Sequence, residues 1–393
     1  MGIGPENSYN SYNSYNSYNS YNSYNSYNSY NSYGGPAGES PLLAESLLTN
    51  RDGIVGARME NIATPTAGRA NSPNNLPRLS QSVRSAIFQA ELGPSVDVTF
   101  EMDEKCNPVA TLWRMTEDTT TDARKVCFDP MVKMTAPTME QLSTQLQLVS
   151  GYARIRPDRG AEILSQVGVP TAYFASIDFI DPARTPYTVE MLYTALGFAL
   201  PVIQRMKYAL ALKRPIEFSP QIQPMIPTPT HGTLPSGHST EVFVMARILW
   251  KLLMESGAPQ YNDRALWGTM MMRQAARIAT NRTVAGVHFP VDSVAGQQLG
   301  LTLANHFYSM CCGGKWTSST FYGPHFDAES DFDWHQLYDP DGDTQTDEVK
   351  FDGNVWATAE VQEDNGIEAS PALAWLWGKA LAEWTDFEPR DCE

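Results

Sequence analysis

Residues 235–257 read PSGHSTEVFVMARILWKLLMESG, a pattern that predicts a capped and largely buried helix. A Pro-Ser-Gly turn precedes the helix, and Ser236 is a natural N-cap because its hydroxyl can accept a hydrogen bond from the first turn. Gly257 fits a C-terminal cap. Backbone N–H groups at such a helix start point outward and favour an anion, and His238 lies beside them. Alone, the pattern is equally typical of an ordinary capped helix with a surface histidine.

Helical periodicity continues on both sides of this stretch from about residue 138 onward. Apolar residues recur every three or four positions in five further segments, which are TMEQLSTQLQLVSGYARI (138–155), GAEILSQVG (160–168), TVEMLYTALGFALPVIQRMKYALAL (188–212), ALWGTMMMRQAARIATN (265–281) and PVDSVAGQQLGLTLANHFYSM (290–310). Such a run of helices predicts an all-α fold, with a catalytic helical bundle over residues 138–314.

Four other segments are expected around this bundle. Residues 1–34 contain the triplet SYN eight times, and a polar repeat that cannot bury a core is predicted to be disordered. Residues 35–95 are rich in Gly, Pro, Asn and Ser and predict an extended arm. Residues 96–137 contain VDVTF and ATLWRM, which alternate as short strands do. Residues 315–393 are acidic but hold six of the nine tryptophans, so we expect this extension to pack on the bundle.

The composition argues against a nucleic-acid partner. The chain has a formal net charge of −16 at pH 7, and residues 327–393 carry 19 acidic residues against three basic ones. Nucleic-acid binding would instead require clustered Lys and Arg. The five cysteines are irregularly spaced, no secretory signal is seen, and no apolar stretch approaches the ~20 residues of a membrane span. These features predict a soluble, cytoplasmic protein.

Two further motifs place charged groups on the predicted helices. Lys207 and Arg214 in KYALALKRP lie seven residues apart, on nearly the same helix face. Two cations on a mostly apolar helix are costly unless an anion meets them, although a basic helix end would also explain them. In NRTVAGVHFPVD, residues 281–292, His288 stands ahead of a helix start and Asp292 can accept a hydrogen bond from one of its ring nitrogens. The ordinary alternative for this pair is a helix cap.

Taken together, these groups are what a tetrahedral oxyanion needs. A lysine, two arginines, a hydroxyl and helix-terminal amides can hold two or three negative charges. His238 and His288 can supply an attacking or coordinating base and a proton donor. No P-loop, HExxH or GxSxG motif competes with this constellation elsewhere in the sequence.

The motif order Lys-x6-Arg-Pro, Pro-Ser-Gly-His and Arg-x5-His-x3-Asp resembles the type 2 phosphatidic acid phosphatase and vanadium haloperoxidase superfamily, over about residues 138–308. The family has Ser where this chain has Asn281, and an amide can still hydrogen-bond the oxyanion or a neighbouring loop. The resemblance implies that His288 is the covalent partner, Asp292 its orienter and His238 the acid–base residue. It also implies a set of oxyanion-binding residues, which are Lys207, Arg214, Ser236, Gly237 and Arg282.

The resemblance implies two alternative chemistries at this one site. In a vanadium haloperoxidase, vanadate is the cofactor, His288 is its metal ligand, and bromide or iodide is oxidised with hydrogen peroxide. In a phosphatase, His288 attacks the phosphorus of a phosphate monoester and forms a phosphohistidine.

Three features favour the haloperoxidase-like branch. His231 lies seven residues before His238, as in algal bromoperoxidases and their bacterial relatives, and would tune proton transfer or halide oxidation; a loop histidine that caps a turn is the alternative. About 200 residues precede the first motif, and neither a membrane span nor a secretory signal is seen. Against this, only 42 residues separate His238 from Asn281. The expected function is therefore haloperoxidase, with a soluble phosphatase as the alternative. Haloperoxidase relatives often form dimers, so a homo-oligomer is compatible with either.

Overall fold

The computed structural model describes residues 41–55, 64–118 and 125–385. The SYN repeat and parts of the predicted arm lie outside these residues, so the prediction of disorder for residues 1–34 is not addressed by the structure. The chain divides after Phe88 into two compact units, and each is described by itself.

The first unit contributes α1 (Pro41–Ile54), a 3-10 helix (Pro73–Arg78) and the start of α2 (Gln81–Leu92). Ser72 caps the 3-10 helix, since its side chain accepts a hydrogen bond from the backbone N–H of Asn74.

The second unit contains the remaining helices of the described residues. They are α3 (Met139–Tyr152), α4 (Arg156–Ser165), α5 (Thr171–Asp178), α6 (Pro186–Leu210), the single turn α7 (Pro215–Phe218), α8 (Gly237–Glu255), α9 (Arg264–Val284), α10 (Pro290–Cys312) and α11 (Pro371–Ala382). Short 3-10 helices lie at Gly93–Ser95, Ala153–Ile155, Pro220–Ile222, Pro259–Tyr261, Gly323–His325 and Trp334–Gln336. No helix among these residues is both long enough and apolar enough to span a lipid bilayer.

The prediction of an all-α fold is wrong, because the second unit also contains a six-stranded mixed sheet. Its strands follow the order β1 (Val96–Met102), β2 (Pro108–Asp118), β3 (Lys125–Thr135), β4 (Gly314–Tyr322), β8 (Asn354–Ile367) and β7 (Glu348–Phe351). A separate two-stranded ladder joins β5 (Tyr338–Asp339) to β6 (Thr344–Gln345). The protein is therefore of mixed α/β class.

The sheet is assembled from both sides of the helical region in the sequence. β3 pairs with β4 in parallel, with Val132 opposite Ser319 and Thr135 opposite Tyr322, whereas the other pairs in this sheet are antiparallel. The backbone N–H and C=O groups of a strand edge need partners, and two or three short strands bury too little apolar surface to be stable alone. The strands before the helices therefore pair with those after them in one sheet. The local sequence of each segment does not indicate this pairing.

The sheet supports two of the long helices, α6 and α10. Val98, Leu112 and Val132 lie side by side on its inner face and are buried. Thr302 of α10 hydrogen-bonds the hydroxyl of Ser319 at 2.9 Å, and Gln298 of α10 donates to the carbonyl of Thr358 at 2.8 Å. The sheet thereby holds α10 at a defined position.

Helix α8 is the centre of the helical layer. It is buried over most of its length, which agrees with its nearly continuous apolar sequence. Helix α10 crosses it closely at two glycines, since a Cβ on Gly296 would lie 2.7 Å from the carbonyl oxygen of Ser236, and one on Gly300 would lie 2.6 Å from that of Thr240. The close crossing brings the starts of α8 and α10 together.

Candidate active site

Four helix ends converge at one end of the helical layer and carry the charged groups. Lys207 lies in the last turn of α6, Ser236 caps α8, Arg282 lies in the last turn of α9, and Asp292 lies in the first turn of α10. All four are buried, with 0 or 1% of each residue exposed. Buried charges at one place are costly unless they are paired, so this clustering indicates a site for a charged ligand.

Lys207 is held by the loop that precedes α8. Its ammonium donates to the carbonyls of Gly232 and Thr233, both at 3.0 Å. Burial, and then the charge of Arg214, lower the pKa of Lys207 well below its ordinary value. The two carbonyls orient the amino group of Lys207 at the site.

Arg214 joins the first motif to both flanking loops. Its Nη1 donates to the carbonyl of Val287 at 2.8 Å and contacts Nε2 of His288 at 3.0 Å. Its Nε donates to the carbonyl of His231 at 3.1 Å, and its Nη2 contacts Nδ1 of the same histidine at 3.0 Å. Burial lowers the pKa of Arg214 to about 10, so the guanidinium remains charged at neutral pH.

These contacts decide the tautomer of His288. A guanidinium can only donate, so Nε2 of His288 carries the lone pair and its proton lies on Nδ1. That proton is donated to Oδ2 of Asp292 at 3.0 Å, with the hydroxyl of Thr233 near the same nitrogen at 3.3 Å. Burial, followed by the charge of Arg214, lowers the pKa of His288 well below its ordinary value. His288 is therefore a neutral imidazole whose electron pair on Nε2 accepts a hydrogen bond from Arg214.

Asp292 is fixed by three donors on one oxygen. Besides His288, the backbone N–H of Phe289 and the hydroxyl of Thr233 donate to Oδ2, at 2.8 and 2.5 Å. The carbonyl of Asp292 in turn accepts from the N–H of Ser236 at 2.9 Å, which ties the starts of α8 and α10 together. Burial raises the pKa of Asp292 to about 6, so its carboxylate is ionised at neutral pH.

The start of α8 presents backbone donors. The Ser236 hydroxyl accepts from the N–H of Ser239, and its carbonyl accepts from the N–H of Thr240. The N–H groups of Gly237 and His238 come before the first intrahelical bond and have no hydrogen-bond acceptor among the described residues. The absent side chain of Gly237 leaves a gap facing Lys207, whose Cε would lie 3.9 Å from an added Cβ. Both N–H groups can therefore reach an anion beside Lys207.

His238 is oriented by the end of α4. Its Nε2 lies 3.0 Å from the carbonyl of Gln166 and 3.3 Å from that of Val167. A carbonyl only accepts, so Nε2 carries the proton and Nδ1 is left as the acceptor. Burial, and then the charge of Arg282, lower the pKa of His238 to about 3. In the free site His238 is thus a neutral base.

Arg282 has hydrogen-bonding capacity to spare. Its Nη2 donates to the carbonyl of Ile163 and to Oε1 of Gln166, at 3.2 and 3.3 Å. Its Nε and Nη1 are buried and have no acceptor among the described residues. Because an unsatisfied buried donor costs about 1–3 kcal/mol, such donors indicate a missing acceptor.

Asn281, which replaces the family's serine, acts on the neighbouring helix. Its Nδ2 donates to Oε1 of Gln166 at 2.9 Å, and its Oδ1 accepts from Arg159 at 3.1 Å. It therefore holds the side chain that positions Arg282. Of the two partners expected for an amide at this position, the oxyanion or a neighbouring loop, the structure shows a neighbouring segment.

The structure brings together all nine residues singled out in the sequence, which are Lys207, Arg214, His231, Ser236, Gly237, His238, Arg282, His288 and Asp292. His231 contacts Arg214, and burial lowers its pKa to about 4. Sequence reasoning missed Thr233, Gln166 and Glu241. Gln166 lies 115 residues before Asn281 in the chain, so no local spacing could have indicated it.

The fold and the geometry gather cationic side chains and donors without acceptors around a His–Asp pair, an arrangement suited to an oxyanion. Comparison with known families agrees, because residues 186–311 match the model of the PAP2 superfamily. This part of the chain is therefore a PAP2 superfamily domain, and the predicted superfamily is confirmed. The haloperoxidase-like branch stays a prediction.

A search of solved structures found the transmembrane PAP2-type phosphatidylglycerolphosphate phosphatase from Bacillus subtilis, with 19% sequence identity and a TM-score of 0.35. The similarity covers 42% of this chain and 84% of that one. A search of curated proteins found no match.

Proposed function

We propose that this protein is a phosphatase that hydrolyses phosphate monoesters through a phosphohistidine at His288. The observation that carries the proposal is the state of this imidazole: Arg214 marks Nε2 as the nitrogen with the electron pair, and Asp292 holds the proton on Nδ1. This electron pair becomes available when the phosphoryl oxygens of a substrate take over the hydrogen bond from Arg214, and the PAP2 domain supplies the class of chemistry.

In the first step, Nε2 of His288 attacks phosphorus, and the bond from phosphorus to the alcohol oxygen breaks. Lys207, Arg214, Arg282 and the N–H groups at the start of α8 hold the phosphoryl oxygens, where charge develops. A bound dianion favours the protonated form of His238, which donates its proton to the leaving alkoxide. The products are a free alcohol and a phosphohistidine, with the charge on the His288 ring stabilised by Asp292.

In the second step, a water molecule attacks phosphorus from the side of the departed alcohol. Nδ1 of neutral His238 accepts a proton from this water, and the bond between phosphorus and Nε2 breaks. Inorganic phosphate leaves and His288 regains its electron pair. His238 thus acts as the acid in one step and as the base in the next.

A vanadate-dependent haloperoxidase is the second candidate function. The free donors on Nε and Nη1 of Arg282 suit vanadate as well as phosphate, since both are tetrahedral oxyanions. The groups that would hold vanadate are those named above, with His288 as the ligand, and bound vanadate would supply the activation of hydrogen peroxide. The observation favouring this candidate is the contact of His231 with Arg214, because His231 is the residue shared with the bromoperoxidases.

A paired assay on one vanadate-free preparation separates the two candidates. We expect hydrolysis of p-nitrophenyl phosphate and inhibition of that hydrolysis by orthovanadate. With labelled substrate, we also expect a phosphohistidine that survives an alkaline quench and is lost in acid. All three should be lost in His288→Ala. Vanadate-dependent bromide oxidation by peroxide, without phosphate release, would instead establish the haloperoxidase.

The chain offers a matched control for His288→Ala. His335 forms a similar pair with Asp333, with 2.8 Å between Nδ1 and the carboxylate, but both side chains are 55% exposed. His335→Ala should leave the hydrolysis rate unchanged. A large loss in this variant would show that the His288 result reflects damage to the protein in general.

A further inference from the structure

Glu241 is a buried carboxyl that the catalytic steps above do not use. It lies on α8 and is 7% exposed. No hydrogen bond or ion pair joins it to another residue in the described part of the chain, although buried carboxylates are normally paired.

The position of Glu241 on α8 directs it toward the oxyanion site. Gly237 lies four residues earlier, on the same helix face, and faces Lys207 of α6. Ser239, two residues before Glu241 and about 200° from it around the helix, faces the other way, where its side chain meets Gly296 of α10. Glu241 therefore lies on the side of α8 that faces α6 and α9.

The charged groups acting on Glu241 belong to the site. They are Lys207 on α6 and Arg282 on α9. Neither forms a hydrogen bond with Glu241: Lys207 donates to two backbone carbonyls, and Arg282 donates to Ile163 and Gln166. On α10, the nearest carboxylate to the site is Asp292, which is held by His288. On α8 itself, the next titratable group toward the site is His238, a neutral base in the free site.

The charges of the empty site differ from those of the filled one. Without ligand, an ionised Glu241 partly offsets the cations Lys207 and Arg282. When a dianion occupies the same cations, an ionised Glu241 becomes an additional negative charge in a buried place, where like charges repel strongly. The lowest-energy response is for that carboxylate to become neutral.

We propose that Glu241 is an exchangeable counter-ion of the oxyanion site, and that it takes up one proton from solvent when a tetrahedral dianion binds. This inference rests on the proposed function, because it assumes that the site binds such a dianion. In this role, the protonation state of Glu241 controls how tightly a dianion binds, although Glu241 does not contact the reacting atoms.

The pKa of Glu241 agrees with this role. Burial raises it to about 7, and the charges of Lys207 and Arg282 oppose that shift. A bound dianion offsets the positive charge of Lys207 and Arg282 and so removes their effect on Glu241. The pKa of Glu241 therefore rises further when the dianion binds. The binding of a dianion should therefore weaken as the pH rises above about 7, where the uptake of a proton becomes less favourable.

The test measures tungstate binding by isothermal titration calorimetry in buffers of different ionisation enthalpy, at about pH 8. Tungstate is used because it is a tetrahedral dianion that does not itself titrate near this pH. We expect Glu241 to account for most of one proton taken up per tungstate bound, in addition to any uptake by His238, which is common to the wild type and the variants. Glu241→Gln should lose this uptake, and it should bind tungstate about tenfold more tightly than the wild type at about pH 8 but similarly at about pH 6.

Asp178→Asn is the matched control. Asp178 is also buried, and its pKa is also raised to about 7 by burial, but the opposing contributions come from backbone N–H groups and from no cation of the site. This variant should keep the wild-type proton uptake. Equal loss of uptake in both variants would overturn the assignment to Glu241.

The remaining outcomes separate this inference from the proposed function. Absence of tungstate binding to the wild type overturns both. Tungstate binding with unchanged proton uptake in Glu241→Gln overturns the counter-ion role alone and leaves the phosphatase proposal intact. If Glu241→Gln does not fold, infrared difference spectra of wild-type protein carrying ¹³C-labelled glutamate decide the question, because tungstate must produce the band of a protonated glutamic acid.

Discussion

At the level of single residues, hydrogen-bond partners fix which ring nitrogen of each site histidine carries the proton. Arg214 and Asp292 contact opposite nitrogens of His288, and Gln166 and Val167 contact one nitrogen of His238. The charged partners of His288 only donate or only accept, so its tautomer follows from them. In the proposed mechanism, this arrangement prepares His288 to attack and His238 to exchange protons at Nδ1.

Asp292→Asn is expected to lower kcat by about 10³-fold. The amide oxygen would keep the three donors at the position of Oδ2, but a neutral amide cannot balance the positive charge that develops on the His288 ring when it attacks phosphorus. The measurement is steady-state hydrolysis of p-nitrophenyl phosphate, with thermal unfolding recorded to confirm that the variant folds. A folded variant with nearly normal kcat would contradict the role of Asp292.

The same carboxylate predicts the acid limb of the pH profile. Only ionised Asp292 balances the positive charge that develops on the His288 ring, and burial raises the pKa of Asp292 to about 6. The ratio kcat/KM should therefore fall as the pH falls through about 6. This limb should be absent from whatever activity Asp292→Asn retains; an unchanged limb would assign it to another group.

At the level of elements, the site depends on the close crossing of α8 and α10. Gly300 permits this crossing, because a Cβ there would meet the carbonyl oxygen of Thr240 at 2.6 Å and Phe243 at 3.0 Å. Both helices are buried at this point, so neither can move away without opening the core.

Gly300→Ala is therefore expected to destabilise the protein by about 1–3 kcal/mol, measured by urea unfolding. Gly378 is the matched control, since it is also a glycine inside a helix, α11, but an added Cβ meets nothing within 4 Å. Gly378→Ala should stabilise by up to about 1 kcal/mol, because alanine is the better helix former. Similar effects in the two variants would contradict a tight crossing at Gly300.

At the level of the whole molecule, the C-terminal segment is connected to the helix that carries Lys207. Glu383 accepts hydrogen bonds from the backbone N–H groups of Tyr187 and Thr188, at 2.7 and 2.8 Å, and so caps the start of α6. Trp384 donates to the hydroxyl of Thr188 at 2.8 Å. The acidic extension thus contributes directly to a site-bearing element.

Glu383→Ala should cost about 1–2 kcal/mol of unfolding free energy, since it leaves donors at the start of α6 without an acceptor. Lys379→Ala, an exposed change in α11, should change stability by less than about 0.5 kcal/mol. Urea unfolding of both variants makes the comparison. Equal stabilities would show that α6 does not depend on this cap.

The helices and the residues that meet at the candidate site could be predicted from the sequence, and the pairing of the strands into one sheet could not. The apolar period in residues 239–253 is local, and so are the spacings Lys-x6-Arg and His-x3-Asp. The pairing of β3 with β4 joins Val132 to Ser319, far apart in the chain, and no short-range pattern encodes it. The strand β8 was also not predicted, because its acidic residues interrupt the alternation of apolar and polar residues.

The sequence by itself determined the set of charged and polar groups that meet at the candidate site, because a lysine, two arginines, two histidines and an aspartate at these spacings suit a tetrahedral oxyanion. Only the tertiary structure decided how each group is used. The protonation of His288, the free donors of Arg282, the support from Gln166 and the unpaired carboxyl of Glu241 all depend on burial and on contacts between distant segments. Those are properties of packing, and local sequence does not contain them.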